Sequence, residues 1–314
     1  TLKKAFTQRL DKRTREKEAR PFKKTWLAEV FGISRQGFYK KLKRIEKEKH
    51  NAELILEEVR KIRKIQPKYG TIKLHKDLSF FFFFHGIKIG RDQFFKLLKH
   101  NNMLVKKSNN FHTTTNSKHR FFKNPNRIKD LEITRSEQVW VSDITYLKIQ
   151  NNHAYLALVT DAYSKKIVGF KLADHLRTEI VVDALKMALK QRSFPERKLI
   201  HHSDRGIQYC APEFTNFTDK QQITLSNTQN SDPYENAIAE RINRTLKYEY
   251  GLKEVLPDFK TAEKMVSQAV EIYNNQRLHF SLELQTPENV HQIENVKYKS
   301  YKRKKILNLT QQNN

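Results

Sequence analysis

The sequence of 314 residues predicts a mixed α/β domain preceded by smaller all-α units. In the first hundred residues, apolar side chains recur at helical spacing, as Ile55, Val59 and Ile62 do. From Glu137 onward the pattern changes, and three strand-like segments are followed by helical and strand-like segments in alternation. Three hairpin-linked strands with later alternation indicate a mixed five-stranded sheet with helices on both faces.

The predicted strands of this domain are short, apolar and bounded by turn residues. They cover residues 138–149, 154–160, 166–172, 198–202 and 222–225, with an Asn-Asn hairpin turn after the first. The predicted helices cover residues 178–192 and 262–274, and two more begin near residues 212 and 236.

Basic residues dominate the composition. Lys and Arg number 61 against 34 Asp and Glu, which gives a net charge of +27. Nucleic acid is the first partner to consider, because phosphate contacts favour Lys and Arg. A basic protein can also simply be soluble, but here the charge is large and spread along the whole chain.

The cysteine content and the hydropathy exclude several classes of protein. Cys210 is the only cysteine, so the chain has no internal disulfide and no cysteine-based zinc site. No apolar run approaches the roughly 18 residues that a membrane-spanning helix needs. We therefore expect a cytoplasmic protein without a membrane partner.

The chain divides into six predicted segments. They are a basic arm (1–24), a helix-turn-helix-like segment (25–49), a second small helical unit expected to bind DNA (50–105), a basic linker (106–130), the α/β core (131–295) and a basic and polar tail (296–314).

Residues 26–42 match a helix-turn-helix. Gly32 suits the left-handed turn between the two helices, and Ser34 can cap the second helix. That helix would present three polar side chains to a DNA groove, namely Arg35, Gln36 and Lys40. The alternative is an ordinary helical hairpin with a solvated basic face.

Five consecutive phenylalanines occupy residues 80–84. We predict two helices here, over residues 72–82 and 91–100, split by His85 and Gly86. The phenylalanine run is predicted to lie in the core, because an exposed run would be an aggregation hazard.

Three acids stand where metal-dependent phosphodiester chemistry needs them. Asp143 interrupts an otherwise apolar strand, where an unpartnered carboxylate is costly. Asp204 directly follows the fourth predicted strand, and alternating folds place their sites at such ends. Glu240 lies on a long helix. Two divalent ions roughly 3.5–4 Å apart, held by such acids, can activate an attacking oxygen and stabilise a leaving one.

The helix that carries Glu240 has a polar stripe predicted to face DNA. With 3.6 residues per turn, four residues fall within about 60° of Glu240, namely Asn236, Asn243, Arg244 and Lys247. The apolar residues lie roughly opposite. Glu235 and Glu249 point away from the stripe and are rejected as ligands. Asp161 ends the second strand, where a lone acid usually serves a turn.

Several motifs occur in an order that resembles one family. They are Trp-Val-Ser-Asp-Ile-Thr-Tyr at 140–146, Asp-Ala-Tyr-Ser at 161–164, His-Ser-Asp-Arg-Gly-Ile-Gln-Tyr at 202–209, Glu-Asn-Ala-Ile-Ala-Glu at 235–240 and Tyr-Asn-Asn-Gln-Arg at 273–277. Asp204 and Glu240 are separated by 240 − 204 − 1 = 35 residues. Across residues 25–290 the chain resembles DDE transposases and retroviral-type integrases. It looks most like the second-frame product of bacterial insertion sequences of the insertion-sequence-three family.

The resemblance implies an RNase H-like catalytic core in which Asp143, Asp204 and Glu240 bind two Mg²⁺ or Mn²⁺ ions. Water would nick a transposon end, and the freed 3′-hydroxyl would attack another phosphodiester. The implied partner is double-stranded DNA, both terminal inverted repeats and target, bound by a homo-oligomer near the bacterial nucleoid. The residues implied to lie near the DNA are Lys247, Arg205, Gln208, Tyr209 and Asn236.

Two departures from the family pattern and two alternative functions stay open. Glu235 stands where many relatives have Asp, and no heptad run marks a leucine zipper. The family's enzyme is often a frameshift fusion, so this chain could be the downstream portion of one. The alternatives to a transposase are an inactive or domesticated DNA-binding regulator, and a nuclease that cuts without joining.

Overall fold

The computed structural model describes residues 32, 34–105, 122–150, 152–229 and 236–297. The chain forms two compact units. We call residues 1–62 with 79–103 the helical unit, and residues 63–78 with 104–314 the core unit. Within the described ranges, no helix is long and apolar enough to cross a membrane.

The described helices and strands follow one another in this order: α1 (Arg35–Ile65), α2 (Thr71–Asp77), α3 (Ser79–Phe84), α4 (Arg91–His100), β1 (Val139–Ile149), β2 (Asn152–Asp161), β3 (Ile167–Ala173), α5 (Glu179–Lys190), β4 (Ile200–Ser203), α6 (Ile207–Cys210), α7 (Pro212–Lys220), β5 (Thr224–Asn227), α8 (Ala237–Glu249), α9 (Phe259–Asn275) and α10 (Pro287–Ile293). A 3₁₀ turn, Phe280–Leu282, lies between α9 and α10.

The start of α1 has the local geometry that the sequence predicts. Gly32 adopts a left-handed φ of 66°, and the Ser34 hydroxyl accepts a hydrogen bond of 3.1 Å from the Gly37 amide. The helix then continues for 31 residues without a break, through the predicted boundary at residues 49 and 50. The basic arm, the first helix of the helix-turn-helix, residues 106–121 of the basic linker and the tail beyond residue 297 lie outside the described residues.

The phenylalanine run is not a core segment, and this prediction was wrong. Only Phe82 is buried, at 6% exposure, where its ring packs edge-on against Phe94 at 5.9 Å between centroids. Phe80, Phe83 and Phe84 are exposed. The single helix predicted over residues 72–82 is instead split at Leu78 into α2 and α3. A helix as short as α3 buries only one side, since successive residues point around its axis.

The sheet of the core unit has the strand order β3-β2-β1-β4-β5. The first three strands pair antiparallel, whereas β4 pairs parallel to β1, and β5 parallel to β4. The predicted mixed five-stranded sheet is therefore confirmed.

Helices cover both faces of the sheet. On one face the apolar side of α5 packs with Phe214 of α7. On the other face α8 and α9 contribute the apolar cluster, with Ile242 and Leu246 from α8. β3 lies very close to α5 at Gly169, so a Cβ at this position would clash with the carbonyl oxygen of Ala184. Only glycine allows that approach.

Residues 63–78 belong to the core unit, although the sequence placed them with the rest of residues 50–105. Tyr69 and Leu74 are fully buried there, and the Lys73 ammonium lies 5.6 Å from the centre of the Phe280 ring. Burial of these side chains groups α2 with the sheet domain, which a helical pattern alone does not reveal.

Candidate active site

Asp143 and Asp204 are brought together by the parallel pairing of β1 with β4. The last registered pair of these strands is Ser142 with Ser203, and each acid is the next residue along its chain. Neighbouring strands lie about 4.8 Å apart, so the two acids stand side by side. β4 ends at Ser203, so among the strands that the structure describes β1 pairs only with β2 from Asp143 onward, until Ile149 forms an isolated bridge to Leu256. The site thus lies at an open edge in the middle of the sheet.

Two asparagines attach α8 to this part of β1. Asn236 donates a hydrogen bond of 3.1 Å to the Ser142 carbonyl, and Asn243 donates one of 2.8 Å to Oδ2 of Asp143. Glu240 lies three residues before Asn243, and residues three apart are neighbours on a helix surface. The asparagines therefore bring the first turn of α8, and Glu240 with it, to the two aspartates.

The three acids share one electrostatic environment. Burial, and then the charges of Asp204 and Glu240, raise the pKa of Asp143 to about 7, against the hydrogen bond from Asn243. Burial and the charge of Asp204 also raise the pKa of Glu240. Within the described residues, neither Asp143 nor Glu240 forms an ion pair with a basic side chain. The described basic side chains thus leave Asp143 and Glu240 without an ion pair, although Lys247 is near enough for the charge of Asp143 to raise its pKa.

The layer beneath the acids supplies no positive charge either. The Ser142 hydroxyl lies 2.7 Å from Nε2 of His201, and burial lowers the pKa of His201 to about 3, so this imidazole is neutral. Burial and then the charges of Asp143 and Asp204 raise the pKa of Tyr209, so its hydroxyl stays protonated.

The donor atoms of the site fit a hard divalent cation. All three acids offer carboxylate oxygens, and the buried amide oxygens of Asn236 and Asn243 have no hydrogen-bond partner. Oxygen-only donor sets suit Mg²⁺ and Mn²⁺. As the side chains stand in the described residues, no three His, Cys, Asp or Glu are grouped tightly enough to hold an ion. Glu240 is the one exposed member of the three acids.

The residues predicted to bind DNA fall into two groups. The accessible group includes Gln36 and Lys40 on α1, Arg244 on α8 and the half-buried Lys247, whose ammonium lies 4.5 Å from the centre of the Tyr146 ring. Arg205 is half-buried and donates from Nε to the Thr228 carbonyl. The side chain of Arg35 is outside the described part.

The second group is buried, and its side chains are occupied within the protein. Asn236 and Asn243 hold β1, as described above. Gln208 donates a hydrogen bond of 3.1 Å to the Leu176 carbonyl, and Tyr209 packs edge-on against Phe214 at 5.6 Å. Helical periodicity placed both asparagines in a DNA-facing stripe, whereas the structure directs their side chains to the β1 backbone and to Asp143. A contact of these four residues with DNA stays a prediction.

Asp161 has the structural role that the sequence predicts. It is buried, and its carboxylate accepts hydrogen bonds from the Ser164 amide and hydroxyl and from the Glu137 amide. It therefore closes the turn after β2 and is separate from the three acids.

The role of the motif at residues 273–277 was not predicted from the sequence. Arg277 donates two hydrogen bonds, of 2.7 and 2.8 Å, to the Glu249 carboxylate at the end of α8. Asn274 pairs with both backbone groups of Ile167, and the Tyr273 hydroxyl donates to the Lys165 carbonyl. The motif thus fastens α8 and β3 to α9. The run of polar residues in this motif was the one sign in the sequence that it has a role, but its spacing matched no ligand-binding pattern.

This sheet, with one acid within β1, one directly after the adjacent β4 and a third on a helix, defines an RNase H-like core of the integrase type. Two family profiles described as Integrase core domain match residues 133–233 and 221–287. The IS600 uncharacterized 31 kDa protein of Shigella sonnei is 32% identical over 260 residues, which are 82% of this chain and 94% of that protein. The chain belongs to the insertion-sequence-three family of transposases.

Two further relatives agree with that assignment. The transposase for IS904 of Lactococcus lactis is 27% identical over 229 residues, 71% of this chain and 87% of that protein. Transposase InsF for IS3A of Escherichia coli is 33% identical over 121 residues, 38% of this chain and 42% of that protein. Among solved structures, the HTLV-2 integrase catalytic core domain in complex with magnesium matches 50% of this chain and 97% of its own, with 18% identity and a TM-score of 0.40.

Proposed function

We propose that this transposase cleaves the ends of a mobile DNA element and transfers each 3′ strand to another phosphodiester, with Asp143, Asp204 and Glu240 as catalytic and metal-binding residues. One observation carries the proposal. At the sheet edge, burial and the charges of Asp204 and Glu240 raise the pKa of Asp143, burial and the charge of Asp204 raise the pKa of Glu240, and neither Asp143 nor Glu240 forms an ion pair within the described residues. Bound divalent cations would stabilise the charged form of these carboxylates.

The cofactor that we propose is a pair of Mg²⁺ or Mn²⁺ ions. Bound ions of this kind activate the attacking oxygen and stabilise the leaving oxygen of a phosphodiester. Asp143 would hold them rigidly, because Asn243 already fixes its orientation. Glu240 would complete the set by rotation of its exposed side chain on the first turn of α8.

The substrate that we propose is double-stranded DNA, both the terminal inverted repeats and the target. The net charge of +27 supports a polyanionic partner. Lys247, Arg244 and Arg205 would contact DNA near the acids, and Arg35, Gln36 and Lys40 would contact it from α1. Because the two ends of an element must be joined in one reaction, we propose a homo-oligomer assembled on DNA.

A strand-transfer assay on a labelled element end tests this function. Wild-type protein with Mg²⁺ is expected to give both cut and joined products. Asp143→Asn, Asp204→Asn and Glu240→Gln are each expected to abolish both products while DNA binding survives. Binding without Mg²⁺-dependent cutting would identify a DNA-binding regulator, and cutting without joining would identify a nuclease. Cleavage retained by one acid variant would remove that residue from the ligand set.

A further inference from the structure

Tyr146 lies on the open stretch of β1, three residues beyond Asp143. Its ring is half-buried and packs edge-on against His153 of β2 at 5.8 Å between centroids. The ammonium of Lys247, two helical turns after Glu240 on α8, lies 4.5 Å from the centre of the same ring. This distance is within the range of a cation–π contact. The Tyr146 ring and the Lys247 ammonium thus form a cation–π pair beside the candidate active site.

Lys247 is a half-buried cation that lies near Asp143. Burial lowers the pKa of Lys247, and the charge of Asp143 opposes that shift. In the part of the chain that the structure describes, no Asp or Glu forms an ion pair with it. A π face attracts an ammonium group electrostatically and engages only some of its three N–H donors. The remaining donors of Lys247 therefore stay available for an incoming anion.

We propose that Tyr146 is a positioning residue for DNA, and that its ring holds the Lys247 ammonium where it donates to a phosphate oxygen next to the scissile bond. The inference rests on the proposed function, which brings that phosphate to Asp143. A lysine side chain has four rotatable bonds, so fixing it before binding removes an entropic cost. The ring, and not the phenol hydroxyl, carries this role.

The contact separates ring-preserving from ring-removing substitutions. Tyr146→Phe keeps the π face and is expected to behave as wild type. Tyr146→Leu is expected to raise the KM for a duplex carrying the element end by roughly three- to tenfold, the range of one cation–π contact. The kcat for cleavage is expected to change less than twofold. Tyr155→Leu is the matched control, because Tyr155 is the register partner of Tyr146 on β2 and is likewise half-buried. It is expected to leave KM unchanged.

A double-mutant cycle then tests whether Tyr146 acts through Lys247. Equilibrium binding of the same labelled duplex, without divalent ions, is measured by fluorescence anisotropy over a series of salt concentrations. Lys247→Met is expected to reduce the salt slope by about one phosphate contact. Tyr146→Leu is expected to reduce it similarly, and to add nothing in the Lys247→Met background. Thermal melts identify any variant whose fold is lost.

Three results would overturn the inference: equal losses from Tyr146→Phe and Tyr146→Leu, an unchanged KM in Tyr146→Leu, or a Tyr146→Leu effect that persists without Lys247. The binding measurement needs no cleavage. If Tyr146 and Lys247 are coupled in DNA binding but the wild type does not cut DNA in Mg²⁺, the proposed function is wrong and the role of Tyr146 in DNA binding still holds.

Discussion

The two ends of α8 treat their carboxylates in opposite ways. Burial raises the pKa of Glu249 in the last turn, but two hydrogen bonds from Arg277 and the charges of Arg277, Lys73 and Arg241 together outweigh burial and lower it. Glu240 in the first turn has no ion pair among the described residues, and its pKa is raised by burial and by Asp204. A buried carboxylate is costly unless it is paired. The core unit therefore neutralises charge where α8 is anchored, and leaves it unneutralised where a metal ion is proposed to bind.

The largest expected effect comes from removing the charge of Asp143, which lies beside the end of α8 that carries the unpaired Glu240. Asp143→Asn should reduce Mg²⁺-dependent cleavage by at least about a thousandfold, because metal-ion catalysis needs the charged ligand. Gel assays of a labelled element end measure the loss. Glu249→Gln, at the paired end of α8, is the control, and its cleavage rate per folded molecule should stay within about tenfold of wild type. Equal losses of cleavage in Asp143→Asn and Glu249→Gln would contradict a functional difference between the two ends of α8.

The second prediction concerns the paired end. Arg277→Met should lower the free energy of unfolding by about 3 kcal/mol, because it leaves Glu249 without its hydrogen-bond donor in a partly buried position. Urea denaturation followed by circular dichroism measures the change. Asp143→Asn should not destabilise in the same way, since the free Oδ1 of Asn243 can accept from the new amide. A loss of stability in Asp143→Asn as large as in Arg277→Met would contradict the comparison.

The third prediction is that the stability contributions of Asp143, beside the first part of α8, and of Glu249, in its last turn, depend on pH with opposite sign. The pKa of Asp143 is raised to about 7, so its contribution to stability is present at low pH and is lost as the pH rises through about 7. The lowered pKa of Glu249 gives stability that is present above its unfolded-state pKa and is lost in acid. Without divalent ions, Asp143→Asn should therefore gain about 1–2 kcal/mol over wild type between pH 5 and pH 8.

Thermal melts across that pH range provide the measurement, and added Mg²⁺ provides the control. At pH 8 the ion should stabilise wild type and have little effect on Asp143→Asn, because a ligand stabilises only the state that binds it. Identical responses of the two proteins to Mg²⁺ would count against a metal site at Asp143.

The smallest expected effect belongs to the exposed cation on α8. Arg244→Ala should weaken duplex binding by about two- to fivefold and reduce the salt slope by close to one, as the loss of one phosphate contact does. Fluorescence anisotropy with the labelled duplex measures both values. Lys190→Ala is the control, since Lys190 is also exposed and lies on α5, which packs on the opposite face of the sheet from α8. An unchanged salt slope in Arg244→Ala would remove Arg244 from the DNA surface.

Much of this architecture was readable from the sequence because the signals are local. The five strands and the helices of the core unit appear as alternation and helical spacing, and the positions of Asp143, Asp204 and Glu240 within them follow from those patterns. The turn role of Asp161 was also predicted correctly. The phenylalanine run failed because hydrophobicity shows a preference for burial, whereas a six-residue helix has room to bury only part of its circumference.

The sequence by itself determined which acids stand at a strand centre, a strand end and a helix. It also gave the spacing of 35 residues and the positive charge. Only the tertiary structure decided that β4 pairs with β1 so that Asp143 and Asp204 meet, that Asn236 and Asn243 turn inward, and that Lys247 lies over Tyr146. These outcomes depend on contacts between residues far apart along the chain, where packing and hydrogen-bond demand override local periodicity.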